Sequence, residues 1–116
     1  PTAVVTSSNK AKMENVYRCH PGFQDMFEEI LTAEYFAASK PSPDCYLKAA
    51  KRFGLSPDDC VGFEDSFNGL KSLKAAHMKV VGLATTNSPE SISALADFII
   101  KDYTNLDVLI SRLRKW

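Results

Sequence analysis

Residues 60–84 read CVGFEDSFNGLKSLKAAHMKVVGLA, and this stretch decides the fold. It opens on the short apolar run Cys60-Val61-Gly62-Phe63 and closes on another, Val80-Val81-Gly82-Leu83-Ala84. Between them apolar residues recur at Leu70, Leu73 and Ala76/His77. Short continuous apolar runs are the signature of buried strands, and the three-to-four spacing between them is that of a helix. A strand, a helix and a strand of this length form a right-handed βαβ unit, whose ligands bind where strands end and helices begin. Glu64 and Asp65 fall on that edge. Two adjacent carboxylates can hold a hard cation such as magnesium, which takes oxygen ligands. The same residues have a structural use, because Asp65 or Ser66 is a good N-cap and acidic groups favour the positive end of a helix dipole. Both readings stand at this point.

The chain has 116 residues, enough for one domain with a core of its own. Its 14 basic and 14 acidic side chains cancel, so there is no electrostatic footprint for nucleic acid or for an anionic membrane. No apolar run approaches membrane-spanning length, and the first residues carry neither the basic nor the apolar region of a signal peptide. Cys19, Cys45 and Cys60 form no metal-like spacing with one another or with His20 and His77. An odd number of cysteines suits a reducing compartment. The expectation is packed thiols in a cytoplasmic protein.

From the start, Ala3-Val4-Val5 is an apolar strand with no lead-in, followed by the hydroxyl-rich Thr6-Ser7-Ser8-Asn9. Ser8 or Asn9 can cap a helix over Lys10 to Arg18, with Met13, Val16 and Tyr17 on one face, before Pro21-Gly22 breaks it. The hydroxyl cluster is either a plain strand-to-helix turn or a set of donors aimed at an anion. A short helix is expected over Phe23 to Glu29, then a strand at Ile30-Leu31-Thr32. In Ser39-Lys40-Pro41-Ser42-Pro43-Asp44, Ser42 can cap and Pro43 suits the first helical position. Tyr46, Leu47, Ala50 and Phe53 then form a buried stripe, which Gly54 ends. Lys40 stands in a proline-stiffened loop, where a lone lysine is ordinarily solvated. Ser88-Pro89-Glu90 opens another helix with Ile92, Leu95 and Ala96 inward. Asp97 to Ile100 is a last strand, and Thr104 or Asn105 caps a helix carrying Leu106, Leu109, Ile110 and Leu113. This alternation predicts an α/β fold with a doubly wound parallel sheet.

Thr6 after an apolar strand, Lys40 in Ser39-Lys40-Pro41-Ser42-Pro43-Asp44, and Gly62-Phe63-Glu64-Asp65-Ser66 followed by Asn68-Gly69 resemble the second, third and fourth motifs of the haloacid dehalogenase-like hydrolases. The likeness is strongest to the branch of β-phosphoglucomutase and the sugar-phosphate phosphatases, and it runs from Ala3 to about Leu113. It implies a Rossmann-like core, with Thr6 hydrogen-bonding the transferring phosphoryl group and Ser7, Ser8 and Asn9 lining the phosphate site. Lys40 would neutralise phosphate and nucleophile, and Glu64 and Asp65 would place Mg2+. Phosphoryl transfer spreads negative charge over oxygens, so donors and cations in these places have work to do.

The family's first motif, a strand ending in aspartate-x-aspartate, has no counterpart here: no Asp-x-Asp occurs in the chain. Its first aspartate is the family's nucleophile, and none of Thr6, Lys40, Glu64 or Asp65 replaces an attacking carboxylate. The resemblance therefore implies the C-terminal part of a single core domain, without the cap domain that usually selects substrate, and inactive alone. The whole would be a magnesium-dependent phosphohydrolase or phosphomutase of small phosphorylated metabolites; the alternative is a non-catalytic binding or assembly module. The absent strand belongs at the centre of the sheet, between the strands at Ala3–Thr6 and Cys60–Phe63. Those two strands could pair directly, or the place could be filled by an N-terminal piece of the same protein or by a second subunit. Filling is expected, because direct closure would force the flanking helices to repack.

Overall fold

The computed structural model describes residues 1–104 and 106–116. The chain runs β1 (Ala3–Val5), α1 (Lys10–Cys19), β2 (Glu29–Leu31), α2 (Asp44–Arg52), β3 (Val61–Glu64), α3 (Phe67–Ala75), β4 (Lys79–Leu83), α4 (Pro89–Ile92), β5 (Phe98–Ile100) and α5 (Leu106–Arg114). All pairing among the described residues is parallel, as the βαβ pattern requires. β1 pairs with β2, with Ala3 opposite Glu29. β3 pairs with β4, with Val61 opposite Lys79, and β4 with β5, with Val81 opposite Phe98. These are two separate sheets, β1-β2 and β3-β4-β5. The strands that the family resemblance sets on either side of a central strand, β1 and β3, each end their own sheet and do not bond to each other. Direct closure, one of the expected outcomes, is therefore not what forms.

The three-stranded sheet is wound on both faces. Val80 joins Cys45, Tyr46, Ala50, Leu70, Leu73, Ala76, Met78 and Ile92 in one core cluster. Its neighbour Val81 points the other way, into a cluster with Leu83, Ile100 and Leu109. Successive side chains of a strand alternate between faces, so a strand covered on both reads as an unbroken apolar run. The approach of α3 to β3 depends on Gly62, where a Cβ would lie 2.0 Å from Leu73 Cδ2.

Several local expectations are corrected. Phe23 to Glu29 makes only a single 3-10 turn at Gln24–Met26, and Glu29 already belongs to β2. Gly22, at φ 94°, turns the chain just before it and Phe27 is extended, which leaves too few residues to repay helix nucleation. In α2 the buried face is Cys45, Tyr46, Ala49 and Ala50, and Leu47, about 100° further round the helix, is exposed. Ile110 is likewise exposed, while Leu109 is buried. Ala76 is buried, but His77 beside it is exposed in the left-handed region at φ 63°, closing the end of α3. Of the three cysteines only Cys45 is a packed thiol; Cys19 is exposed and Cys60 half-buried. The proposed caps of α5 include Asn105, which lies outside the described residues, as does the expected inward side chain of Leu106. No helix among the described residues is long and apolar enough to cross a membrane.

Candidate functional site

Pairing is parallel within each sheet, and side chains join the carboxyl ends of the two: Lys40, from the loop before α2, reaches the ends of both β1 and β3, and Thr86 and Asn87, after β4, reach Asp65 after β3. After β1, the Thr6 N–H continues the ladder to Leu31 O at 3.0 Å. Thr6 Oγ1 accepts from the Ser8 N–H at 3.1 Å, which shapes the turn. The Asn9 side chain is the N-cap of α1, accepting from the Lys12 N–H at 2.8 Å, and Ser8 O accepts from the Ala33 N–H. Thr6 and Ser7 line a cavity of about 220 Å3 with Ala33, Phe36, Lys40 and Cys45. Ser8 and Asn9 do not line it.

Asp44 folds the loop that carries Lys40 back onto α2. Its carboxylate accepts from the Ala37 N–H at 2.8 Å and the Ala38 N–H at 3.3 Å. The Ala37 bond, with help from Ala38 and Lys48, holds this carboxyl below its usual range. Lys40 is then not a solvated surface lysine, for its side chain is only 15 % exposed. Its Nζ donates to Glu64 Oε1 at 2.6 Å and to Val5 O at 3.3 Å, and it sits 5.1 Å from the centroid of the Tyr46 ring. One ammonium thus touches the ends of both β1 and β3.

Glu64 ends β3 with its side chain 11 % exposed. Its Oε1 also accepts from the Tyr46 hydroxyl. Its Oε2 lies so close to α3 that a Cβ at position 69 would be 2.1 Å away, so glycine is what lets the carboxylate seat against the helix start. Ser66, not Asp65, is the N-cap of α3, accepting from the Gly69 N–H at 3.0 Å. Asp65 is thereby released from capping. Its Oδ2 accepts from the Thr86 hydroxyl at 2.9 Å and its main-chain O from Asn87 Nδ2 at 3.2 Å. Among the described residues no three of His, Cys, Asp and Glu converge as a metal cage. Asp65, with Oδ1 accepting no hydrogen bond there, fits one position of an all-oxygen shell; Glu64 Oε1 is engaged by Lys40 and Tyr46. A magnesium ion would draw its remaining ligands from water, phosphate or other carboxylates.

The sequence does not mark Tyr46, Thr86, Asn87 or Tyr103 as neighbours of the site. Tyr46 looks like one more member of an apolar stripe, although a buried tyrosine hydroxyl needs a partner and that need is a usable signal. Burial first, and then the charge of Glu64, push its phenol far above the ordinary range, so it is a donor. Thr86 and Asn87 follow β4 at the same sheet edge, where position alone could have marked them. Tyr103 stands 6.2 Å from the Phe63 ring, and burial, then the charges of Asp65 and Glu64, raise its phenol; no spacing in the sequence points to it.

Comparison with known proteins bears on the family and the fold. The chain is 34% identical over 116 residues to the bifunctional riboflavin kinase/FMN phosphatase of Arabidopsis thaliana, an alignment that covers all of this chain and 29% of that one. It is 37% identical over 81 residues to the fructose-1-phosphate phosphatase YqaB of Escherichia coli, covering 70% of this chain and 43% of the relative. The chain therefore spans less than half the length of these relatives. The crystal structure of β-phosphoglucomutase from Clostridium difficile superposes with a TM-score of 0.78 at 24% identity, covering 97% of this chain and 48% of that one, a likeness that speaks to the fold. The haloacid dehalogenase-like hydrolase family model matches residues 1–77, which contain the β1 turn, Lys40 and the Glu64-Asp65 pair, and the chain belongs to that family.

Proposed function

We propose that this chain supplies the phosphate-neutralising and metal-holding side of a magnesium-dependent phosphohydrolase or phosphomutase site acting on small phosphorylated metabolites, sugar phosphates among them. The observation that carries the proposal is the Lys40 ammonium, which spans from Val5 O at the end of β1 to Glu64 at the end of β3. A half-buried cation between two open strand ends is placed to meet an anion that arrives there. Thr6 and Ser7 offer hydroxyls, and Ser7 a main-chain donor, to the cavity they line, and Ser8 and Asn9 shape the turn that presents them. At the end of β3 Asp65, with Glu64 beside it, would hold Mg2+, whose charge would offset that of the phosphoryl oxygens.

The attacking carboxylate would come from an aspartate-x-aspartate strand standing between β1 and β3, contributed by an N-terminal piece of the same protein or by a second subunit. That strand would satisfy the unpaired donors and acceptors of both edges, which otherwise cost free energy when covered. Attack on phosphorus would form the aspartyl-phosphate O–P bond as the ester P–O bond breaks, the metabolite leaving as its alcohol with a proton from the motif's second aspartate, which would then take a proton from the water or second hydroxyl that accepts the phosphoryl group. By this reading residues 1–116 turn over no phosphate ester alone.

The test compares the assembled protein with its Lys40→Ala and Asp65→Asn forms against a set of phosphorylated metabolites. Lys40→Ala is expected to lower turnover roughly a hundredfold, about 3 kcal/mol of transition-state stabilisation, and to lower the melting temperature as well, because it leaves the Glu64 carboxylate without its cation. Asp65→Asn is expected to weaken Mg2+ binding. Normal turnover in Lys40→Ala together with equal Mg2+ affinity in Asp65→Asn would take both residues out of the site, and an assembled protein that turns over none of the metabolites would leave a binding or assembly module.

A further inference from the structure

We propose that Tyr46 is a positioning residue: its hydroxyl anchors the Glu64 carboxylate and its ring carries Lys40, so that it sets where the ammonium stands. The consequence for turnover rests on the phosphohydrolase reading above; the positional claim does not.

Lys40 leaves a loop on a long flexible stem, and such a side chain keeps one place only if several contacts fix it. Its main partner is Glu64 Oε1 at 2.6 Å, so the ammonium can be no better placed than that carboxylate. Glu64 is held from two directions. Gly69 lets the start of α3 close against Oε2, and the Tyr46 hydroxyl donates to Oε1. Tyr46 is itself buried among Cys45, Leu70 and Leu73, on the face that α2 turns to the core, so its ring is as fixed as the core is. Its face lies 5.1 Å from Lys40 Nζ, which adds the attraction of a cation to an aromatic quadrupole. Packing alone would be served by phenylalanine, because the ring fills the same space. The hydroxyl is what joins the rigid core to the Lys40–Glu64 pair.

Tyr46→Phe separates the two roles, since it keeps the ring and removes the anchor. Two readouts are measured: the 1H–15N signal of the Lys40 ammonium, assigned by its loss in Lys40→Arg, and kcat and KM of the assembled protein. In Tyr46→Phe the ammonium signal is expected to broaden or shift, and kcat to fall roughly tenfold while KM stays within about twofold, at an unchanged melting temperature. A double-mutant cycle with Glu64→Gln adds a second arm: Tyr46→Phe should have little further effect once the charge linking it to Lys40 is gone. An unmoved ammonium signal, or equal effects of Tyr46→Phe in both backgrounds, would overturn the proposal. Should Tyr46→Phe not fold, the ammonium signal in Glu64→Gln decides, because a Lys40 that stays in place without the Glu64 charge does not depend on Tyr46 acting through it. An assembled protein that hydrolyses no phosphate ester would defeat the phosphohydrolase reading alone, with the ammonium signal still deciding Tyr46.

Discussion

The two sheets carry the hydroxyl and the carboxylate walls of the candidate site and are built to different standards. In β3-β4-β5 the central strand is buried from Val80 to Leu83, with a core cluster on each face. In β1-β2 all of β1 is half-exposed, and only Leu31 of β2 is buried. Parallel strands owe their stability to cover on both faces, and two short strands bury little. Glu64 and Asp65 therefore stand on the firm half, and Thr6 and Ser7 on the looser one. Lys40 belongs to neither sheet and touches both. The difference teaches that the carboxylate wall can be preorganised by this chain's own core, whereas the hydroxyl wall depends on what covers β1. Amide exchange should follow that order, slowest in β4 and faster in β1 and β2.

The strongest way to break the comparison is Leu73→Ala. Leu73 is fully buried between α3 and β3, and truncating it should cost about 2–5 kcal/mol. Urea unfolding should show a lowered midpoint, and protection of the β3-β5 amides should fall towards that of β1-β2. A midpoint close to that of the parent would mean that the three-stranded half is not the stable one. Gly62→Ala attacks the same contact from the strand side. The added Cβ would meet Leu73 Cδ2 at 2.0 Å, and a fully packed leucine cannot move aside freely, so a cost of roughly 1–3 kcal/mol is expected. Applied to Leu73→Ala, the same glycine change should be far less harmful, since the clash has been removed.

The firm half was also the legible half. Strand, helix and strand over residues 60–84 follow from two apolar runs and one helical spacing, and the structure puts elements there to within a residue or two. The looser half is less legible at Phe23 to Glu29, where a short helix is expected but the left-handed Gly22 and the extended Phe27 leave room for one turn. Leu47 and Ile110 were misplaced because helical periodicity gives the width of a buried stripe more reliably than its centre. At the site, residue type and order flagged Thr6, Lys40, Glu64 and Asp65 through family resemblance. What could not be read were the partners: that Ser66 caps in place of Asp65, that Tyr46 reaches Glu64, and that Thr86 and Asn87 hold Asp65. Those are contacts between elements, fixed by packing and not by local pattern.

Two helix caps sharpen the comparison at a smaller scale. Ser66 caps α3 in the firm half and Asn9 caps α1 beside β1. Replacing either by alanine removes one hydrogen bond to an otherwise unsatisfied N–H, about 1 kcal/mol. If the halves differ as described, Ser66→Ala should lower the global unfolding midpoint, while Asn9→Ala should mainly raise local exchange in α1 and the β1 turn. Equal global losses would show that the two halves unfold as one.

The smallest effect is expected from Arg52→Ala. Arg52 closes α2 and donates to Glu29 Oε1 through Nη2 at 2.9 Å and Nε at 3.1 Å, which ties the end of that helix to the first residue of β2. α2 packs on both β1 and α3, so this pair is a strap from the helix shared by the two halves to the edge of the looser one. Both side chains are substantially exposed, and exposed pairs are screened by water and salt and contribute little to global stability. The urea midpoint should therefore stay where it is. Exchange of the Ile30 and Leu31 amides should quicken at low salt, and that difference should vanish near 1 M NaCl, where the Debye length falls to about 3 Å. A fall in the midpoint as large as that of Ser66→Ala would mean that loosening β2 loosens everything. In that case the two walls of the site would rise and fall together, and the contrast between a firm carboxylate wall and a dependent hydroxyl wall would be lost.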